Sequence, residues 1–399
     1  MAAASELAAQ NKSHSTDTRP LGERIGSWLD AASPSVLLMP TVLVILLLSI
    51  FPLIASLYSA LARFQLQQGG FAITFVGFAN FNKLLFGSEA RKTLGRIGEL
   101  PAWSWIVLAA FALVMLYFLY QHINRNRVGA FSSIGKTIGF GMGVFWRVLT
   151  GIIATFFVFM LVGGLYSDRG IPGTIAVTLI FVFGSVALQY TIGLILALLL
   201  TQDIPGKRFF RIIFLLPMMI TPVGIGFLFR MLTNTTVGPL GPVWQAAGLA
   251  QFSMLEDGGG ARLAIIIGDV WQWVPFSFII LLAALEGVSR ETIEAARVDG
   301  ANRWQLFRFI IVPEIVPVST TVILIRLIET FKIIDVPNAL TGGGPGTATE
   351  SLTLHAFNNW RAIDYGLSAA ISYILLFVVT YVAMVFVNIV RRRVLEAFA

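Results

Sequence analysis

The sequence predicts an all-α membrane protein of about eight transmembrane helices, and three observations carry that prediction. Hydrophobic residues make up 56% of the 399 residues and charged residues only 12%, about half the charged share of an ordinary soluble domain. The mean hydropathy is +0.81. Apolar runs of roughly 20 residues, the length that crosses a bilayer as a helix, recur along most of the chain. Such a chain lacks the polar surface of a soluble enzyme, a nucleic-acid binder or a disordered scaffold. The net charge of +7 is the kind that accumulates as Lys and Arg at the cytoplasmic ends of spans. With no Cys, the chain has no disulfides, thiolate metal sites or cysteine nucleophiles. The three histidines, His14, His122 and His355, are too scattered for a metal cluster, so no metal site is expected.

Residues 1–34 are polar and small, without the cleavage pattern of a signal peptide, and read as a cytoplasmic tail. The first span is expected from Ser35 to Leu61, bent at Pro40 and Pro52. Further spans are expected near Ala102 to Ile123, Gly139 to Leu165, Thr174 to Leu200, Ile212 to Leu232, Leu263 to Leu285, Phe309 to Phe331 and Gly366 to Val390. With the tail inside, basic residues favour the inner segments, and both termini are cytoplasmic. Lys83, Arg91, Lys92 and Arg96 crowd one outer loop, where a short amphipathic surface helix would hold them. Removing the two spans between Ala102 and Leu165 as a pair leaves the orientation unchanged, so they read as an extra hairpin.

Ala130 to Thr137, AFSSIGKT, satisfies the loose pattern of a phosphate-binding loop. That loop needs a preceding buried strand so that its backbone N–H groups converge on phosphates; here a polar linker precedes and a span follows. Lys136 reads instead as a marker of the inner membrane face.

Ser289 to Pro317 is a highly charged stretch between two apolar spans, and its pattern is helix, break, helix. Arg290 to Val298 are good helix formers, Gly300 suits a left-handed break, and Asn302 with Gln305 makes a capping box for a second helix that Pro313 and Pro317 bend into the membrane. Within it, Glu294-Ala295-Ala296, Asp299-Gly300-Ala301, Phe307, Ile310 and Pro313 stand at the spacing of a known loop. The segment resembles the EAA loop of binding-protein-dependent ABC importer permeases. Asp269 to Phe276 (DVWQWVPF), Leu340 to Gly346 (LTGGGPG) with Thr349-Glu350, and Phe75 to Phe81 (FVGFANF) are similar to further segments of the carbohydrate-importer branch, in particular its larger, maltose- and glycerol-phosphate-type partner.

The resemblance implies an ABC importer type I permease core, divided as a tail 1–34, a first span and outer loop 35–94, an inserted transmembrane hairpin 95–173, and a core 174–393 carrying the coupling loop 289–313. It implies a transport subunit of the cytoplasmic (inner) membrane, not an enzyme, with ATP-Mg on separate ATPase subunits and no cofactor on this chain. The other implied partners are a second permease subunit, an extracytoplasmic solute-binding protein and a sugar, oligosaccharide or sugar-alcohol substrate. Glu294, Ala295, Ala296, Asp299, Gly300 and Ala301 would couple to the ATPase, and Gly342, Gly343, Gly344 and Pro345 would meet the binding protein, although a flexible turn also accounts for the glycines.

Polar side chains inside spans are costly in lipid and face a cavity or a partner. Asp269, Gln272 and Trp273 share one helical face, and Arg326, Glu329 and Thr330 repeat that spacing, so both sets are candidates for the substrate path. The competing reading pairs Arg326 with Glu329 or Asp269 as structural glue. Gln189 and Tyr190 are a further polar pair that helix packing alone explains. An ion-coupled secondary transporter using Asp269, Arg326 and Glu329 as a relay, and an ABC permease for a non-carbohydrate solute, stand as alternatives.

Overall fold

Run length and proline placement decide where these helices start and bend. The computed structural model describes residues 38–68, 70–96, 98–126, 134–166, 171–202, 204–235, 237–248 and 255–397. The tail 1–34 and residues 130–133 of the phosphate-loop pattern therefore lie outside the described residues. The chain divides into two units, residues 1–58 and 59–399. The first described helix, α1, runs Leu38–Ala60 and widens to a π-helical turn at Leu46–Ile50.

The outer loop begins as an antiparallel hairpin, β1 (Ala62–Gln67) with β2 (Gly70–Phe75), and the basic residues expected on one short helix are divided between α2 (Ala79–Leu85), which holds Lys83, and α3 (Ala90–Thr93), which holds Arg91 and Lys92, with Arg96 beyond it. Phe64 in β1 and Phe71, Ile73, Thr74 and Phe75 in β2 are residues that favour strands. Asn80 in α2 pins the hairpin's root by donating to the carbonyls of Ala60 and Ala62 at 2.8 and 2.9 Å.

The predicted extra hairpin is α4 (Ala102–Asn126) and α5 (Ile134–Tyr166). Its two ends meet: β3 (Gly95–Arg96) pairs with β4 (Ile171–Pro172), with Gly95 opposite Pro172. A Cβ on Gly173 would fall 2.3 Å from the backbone nitrogen of Gly95, so only glycine fits there. Phe157 of α5 is nevertheless part of the main apolar cluster, with Leu179, Leu327, Leu352 and Leu367, and the Tyr381 hydroxyl donates to the carbonyl of Thr150. The Gly135-Lys136-Thr137 end of the phosphate-loop pattern is helical, within α5, and the preceding described element is a helix rather than a strand.

The remaining elements are α6 (Thr174–Leu200), α7 (Lys207–Leu215), α8 (Pro222–Thr233), α9 (Gly241–Ala246), α10 (Gly258–Glu286), α11 (Arg290–Val298), α12 (Arg303–Leu306), α13 (Val312–Thr330), α14 (Asp335–Thr341), α15 (Leu352–Arg361) and α16 (Tyr365–Ala397). Seven described helices are long and apolar enough to cross a membrane, and an eighth crossing results if α7 and α8 count as one. The span expected at Ile212 to Leu232 is thus not one straight helix. A 3-10 turn at Leu216–Met219 joins α7 to α8 across a 96° bend. Pro217 and Pro222 lack N–H groups, and Thr221 starts α8 afresh as its N-cap, accepting from Gly224 N. α6, α10 and α13 pack together, and Gly193 on α6 lies so close to α10 that a Cβ would meet Ser277 Cβ at 2.7 Å.

Candidate functional site

Two sets of residues stand out, one on the loop after α10 and one buried between helices. α11 is capped at its start by Ser289, whose hydroxyl accepts from Thr292 N, and has Glu291 in its first turn and Arg297 in its last, matching the helix dipole. It ends as the sequence predicts. Gly300 adopts φ +82°, its N–H donates to Arg297 O at 3.1 Å, and Ala301 N donates to Ala296 O at 2.9 Å, the paired bonds of a Schellman motif. Asn302 and Gln305 then form the predicted capping box, with both bonds at 2.8 Å. A π-helical turn at Phe307–Ile311 leads into α13.

The face that this loop presents is defined by exposure. Glu294, Ala295, Asp299 and Gly300 are exposed, Ala296 and Ala301 are half-buried, and Ile293 packs against the apolar cluster that includes Leu285, Val288 and Ile315. Val298 is 88% exposed and Trp304 66%, apolar area on a polar loop. Unlike apolar residues at the ends of spans, these sit on a segment whose other side is already packed. Such a surface suits a protein partner.

The second set lies between α6, α10 and α13. Gln189 on α6 donates through Nε2 to Asp269 Oδ2 at 2.8 Å, and its Oε1 accepts from Arg326 Nε at 2.9 Å. Arg326 also donates to Thr330 Oγ1 at 3.2 Å and lies over the Trp273 ring, 4.3 Å from its centre. Asp269, Gln189, Arg326 and Thr330 are all buried. The structure therefore brings together Asp269, Trp273, Arg326 and Thr330 from the predicted set, with Gln189 as the bridge between carboxylate and guanidinium. Gln272 is buried too, but it points to the broken span, donating to Ile220 O at 2.8 Å, while its Oε1 has no hydrogen-bond partner.

Glu329 does not join this cluster. It is exposed and pairs with Lys332 at 2.7 Å, three residues further along the chain. Of the relay Asp269, Arg326 and Glu329 that an ion-coupled transporter would need, the hydrogen-bonded cluster contains Asp269 and Arg326, joined through Gln189.

The glycine-rich segment after α14 is held firmly. Gly342, Gly343 and Gly346 take positive φ, Thr349 donates to Gly344 O at 2.8 Å, and the Thr341 and Thr349 hydroxyls lie 2.7 Å apart. Glu350, next in sequence, is buried and paired with Lys92 at 3.0 Å and with Asn358 at 2.9 Å. In this hydrogen-bonded loop Gly342 and Pro345 are exposed, Gly344 is half-buried and Gly343 is buried. Among the described residues no group of three His, Cys, Asp or Glu side chains is placed to hold a metal.

The loop after α10 and the buried cluster both fall within residues 189–396, which match the family of binding-protein-dependent transport system inner membrane components. The chain belongs to that family. Among relatives of this inner membrane component, the trehalose/maltose transport system permease protein MalF of Thermococcus litoralis is 33% identical over 217 residues, 54% of this chain and 74% of the relative. The sn-glycerol-3-phosphate transport system permease protein UgpA of Agrobacterium fabrum is 28% identical over 233 residues, 57% of this chain and 78% of UgpA. The multiple sugar-binding transport system permease protein MsmF of Streptococcus mutans is 28% identical over 73% of this chain and 96% of its own length. Among solved structures, a bacterial ABC transporter involved in the import of the acidic polysaccharide alginate aligns with TM-score 0.51 and 21% identity, covering 69% of this chain and 98% of that one. This likeness shows a shared fold, and the family match with the permease relatives makes the chain a multi-pass permease of the ABC importer type.

Proposed function

We propose that this permease moves a sugar, oligosaccharide or sugar alcohol inward across the cytoplasmic membrane, driven by ATP hydrolysis on separate subunits. The observation that carries the reading is α11: an exposed helix, packed on one side by Ile293 and ended by the Gly300 motif, that leads through a capped turn into α13. A helix so joined to two spans passes a displacement into the bundle. In this reading Glu294, Ala295 and Ala296 meet the ATPase, Asp299, Gly300 and Ala301 shape the turn, and ATP-Mg stays on the partner. Closure of the ATPase pair rotates this chain against a second permease subunit, exposing the path alternately to each side.

The carbohydrate reading draws on the maltose/trehalose, glycerol-phosphate and multiple-sugar relatives. Trp273 offers a flat apolar face, and the unpartnered Gln272 Oε1 an acceptor, for a hydroxyl-rich solute, with Asp269, Arg326 and Thr330 adjoining and Glu329 outside. Gly342, Gly343, Gly344 and Pro345 are the proposed contact for a solute-binding protein on the outer face, and both termini are cytoplasmic.

Purification in mild detergent with mass identification of co-eluting chains tests the assembly. ATPase subunits and a second membrane chain are expected, and Glu294→Ala or Gly300→Pro is expected to abolish ATP-dependent uptake in vesicles. Wild-type uptake in both variants would overturn the role given to α11.

A further inference from the structure

Lys207 and Arg211 on α7 both reach one carboxylate, Glu286, at the last position of α10: Lys207 Nζ lies 3.4 Å from Glu286 Oε1, and Arg211 bonds the same oxygen. We propose that this triad is a second coupling element, through which movement of α11 reaches the broken span α7–α8 as well as α10. The inference rests on the transport reading above.

The geometry is that of a strut. α7 and the turn after it touch α10 at three levels. Glu286 holds Lys207 and Arg211; Phe214 meets Phe278 edge to face with ring centres 5.6 Å apart; Gln272 holds the carbonyl of Ile220. As the contacts climb α7 from 207 to 220, they recede along α10 from 286 to 272, so this half of the broken span lies against α10 and is fastened at both ends. Beyond Ile220 the chain turns through 96° into α8.

Glu286 is also close to the coupling segment. Only Gly287 and Val288 separate it from Ser289, the N-cap of α11. Val288 and Ile293 share an apolar cluster with Phe214, Phe278 and Ile315, so α7, the end of α10, α11 and the start of α13 are packed as one body. A tilt of α11 therefore moves Glu286, and Glu286 takes α7 with it.

Stability does not account for the triad. All three side chains are partly exposed, between 27% and 41%, and ion pairs in that setting add little to folding. What two cations four residues apart on one helix and a shared carboxylate do fix is direction: they set which face of α7 meets the end of α10. A role for Lys207 and Arg211 as mere anchors to an anionic lipid surface would require the two cations and not Glu286.

The test uses the full transporter, reconstituted in proteoliposomes with its ATPase subunits, second permease chain and binding protein. Glu286→Gln is expected to keep ATP hydrolysis but to lower solute moved per ATP by about fivefold or more. The exchange Arg211→Glu with Glu286→Lys returns a carboxylate to a place between two cations, Lys207 and residue 286, and is expected to restore solute per ATP where each single reversal lowers it. Unchanged solute per ATP in Glu286→Gln would overturn the inference. If Glu286→Gln fails to assemble, the exchange decides: recovered assembly and uptake support the triad, and failure to recover overturns it. An unaltered protein without ATP-dependent uptake would overturn the transport reading itself, a distinguishable result.

Discussion

The side-chain amide of Gln272 donates to the carbonyl oxygen of Ile220 at 2.8 Å, supplying a partner to backbone that the α7–α8 bend leaves outside a helix. Backbone carbonyls at membrane depth require such a partner. Gln272→Leu removes both polar atoms and leaves that carbonyl without its donor. It is expected to destabilise the protein by about 1–3 kcal/mol, read as a lower unfolding temperature in detergent. An unfolding temperature equal to that of the unaltered protein in Gln272→Leu would show that the bend needs no such support.

Gln189 holds a heavier position, since it bonds a carboxylate and a guanidinium on two other helices. Gln189→Leu leaves Asp269 and Arg326 buried with bonds missing, at a cost on the order of 3 kcal/mol or more. The expected order of unfolding temperatures is unaltered protein, then Gln272→Leu, then Gln189→Leu. Finding Gln189→Leu the more stable of the two variants would count against a bridging role.

At Gly300 two substitutions separate strain from shape. Space beside its Cα is open, so Gly300→Ala meets only the φ +82° penalty of about 1 kcal/mol and should assemble and transport. Proline fixes φ near −65° and removes the N–H that bonds Arg297 O. Uptake should fall in Gly300→Pro far more than in Gly300→Ala; equal uptake in the two would separate the turn from coupling.

His355 on α15 makes a pH-dependent prediction. Burial, with the charge of Lys92 nearby, pushes its imidazole down to about 3, and Glu89 at 3.8 Å does not reverse this. The folded protein thus refuses a proton that the unfolded chain accepts below about pH 6.5. Stability contributed by neutral His355 is complete above that pH and is lost as pH falls toward 3, on the order of 3 kcal/mol between pH 7 and pH 4. Thermal unfolding across that range should be less steep in pH for His355→Leu than for the unaltered protein; identical slopes would contradict the assignment.

Local signals were the ones that sequence carried well. The α11 boundaries, the Gly300 break and the Asn302–Gln305 box all follow from residues a few positions apart, and all three stand as read. The broken span was not legible from hydropathy, which registers apolarity and not backbone continuity, although Thr221-Pro222 carried an N-cap signal in the middle of the apolar run. Gln189 was undervalued because its partners come from α10 and α13, and convergence of three helices leaves no spacing to find. Glu329 has the spacing for a face shared with Arg326, and the partner it takes, Lys332, is one turn further on.

The short ladder between Gly95–Arg96 and Ile171–Pro172 closes the α4–α5 hairpin at its base. Excision of that loop with its ends spliced would leave the path of the remaining chain nearly unaltered. The graft is nonetheless not a passenger, since Phe157 and the carbonyl of Thr150 tie it to Leu179 and Tyr381. A shortened descendant would therefore keep its topology and inherit an empty socket, to be refilled by larger side chains on α6 and α16 before it could match its parent's stability.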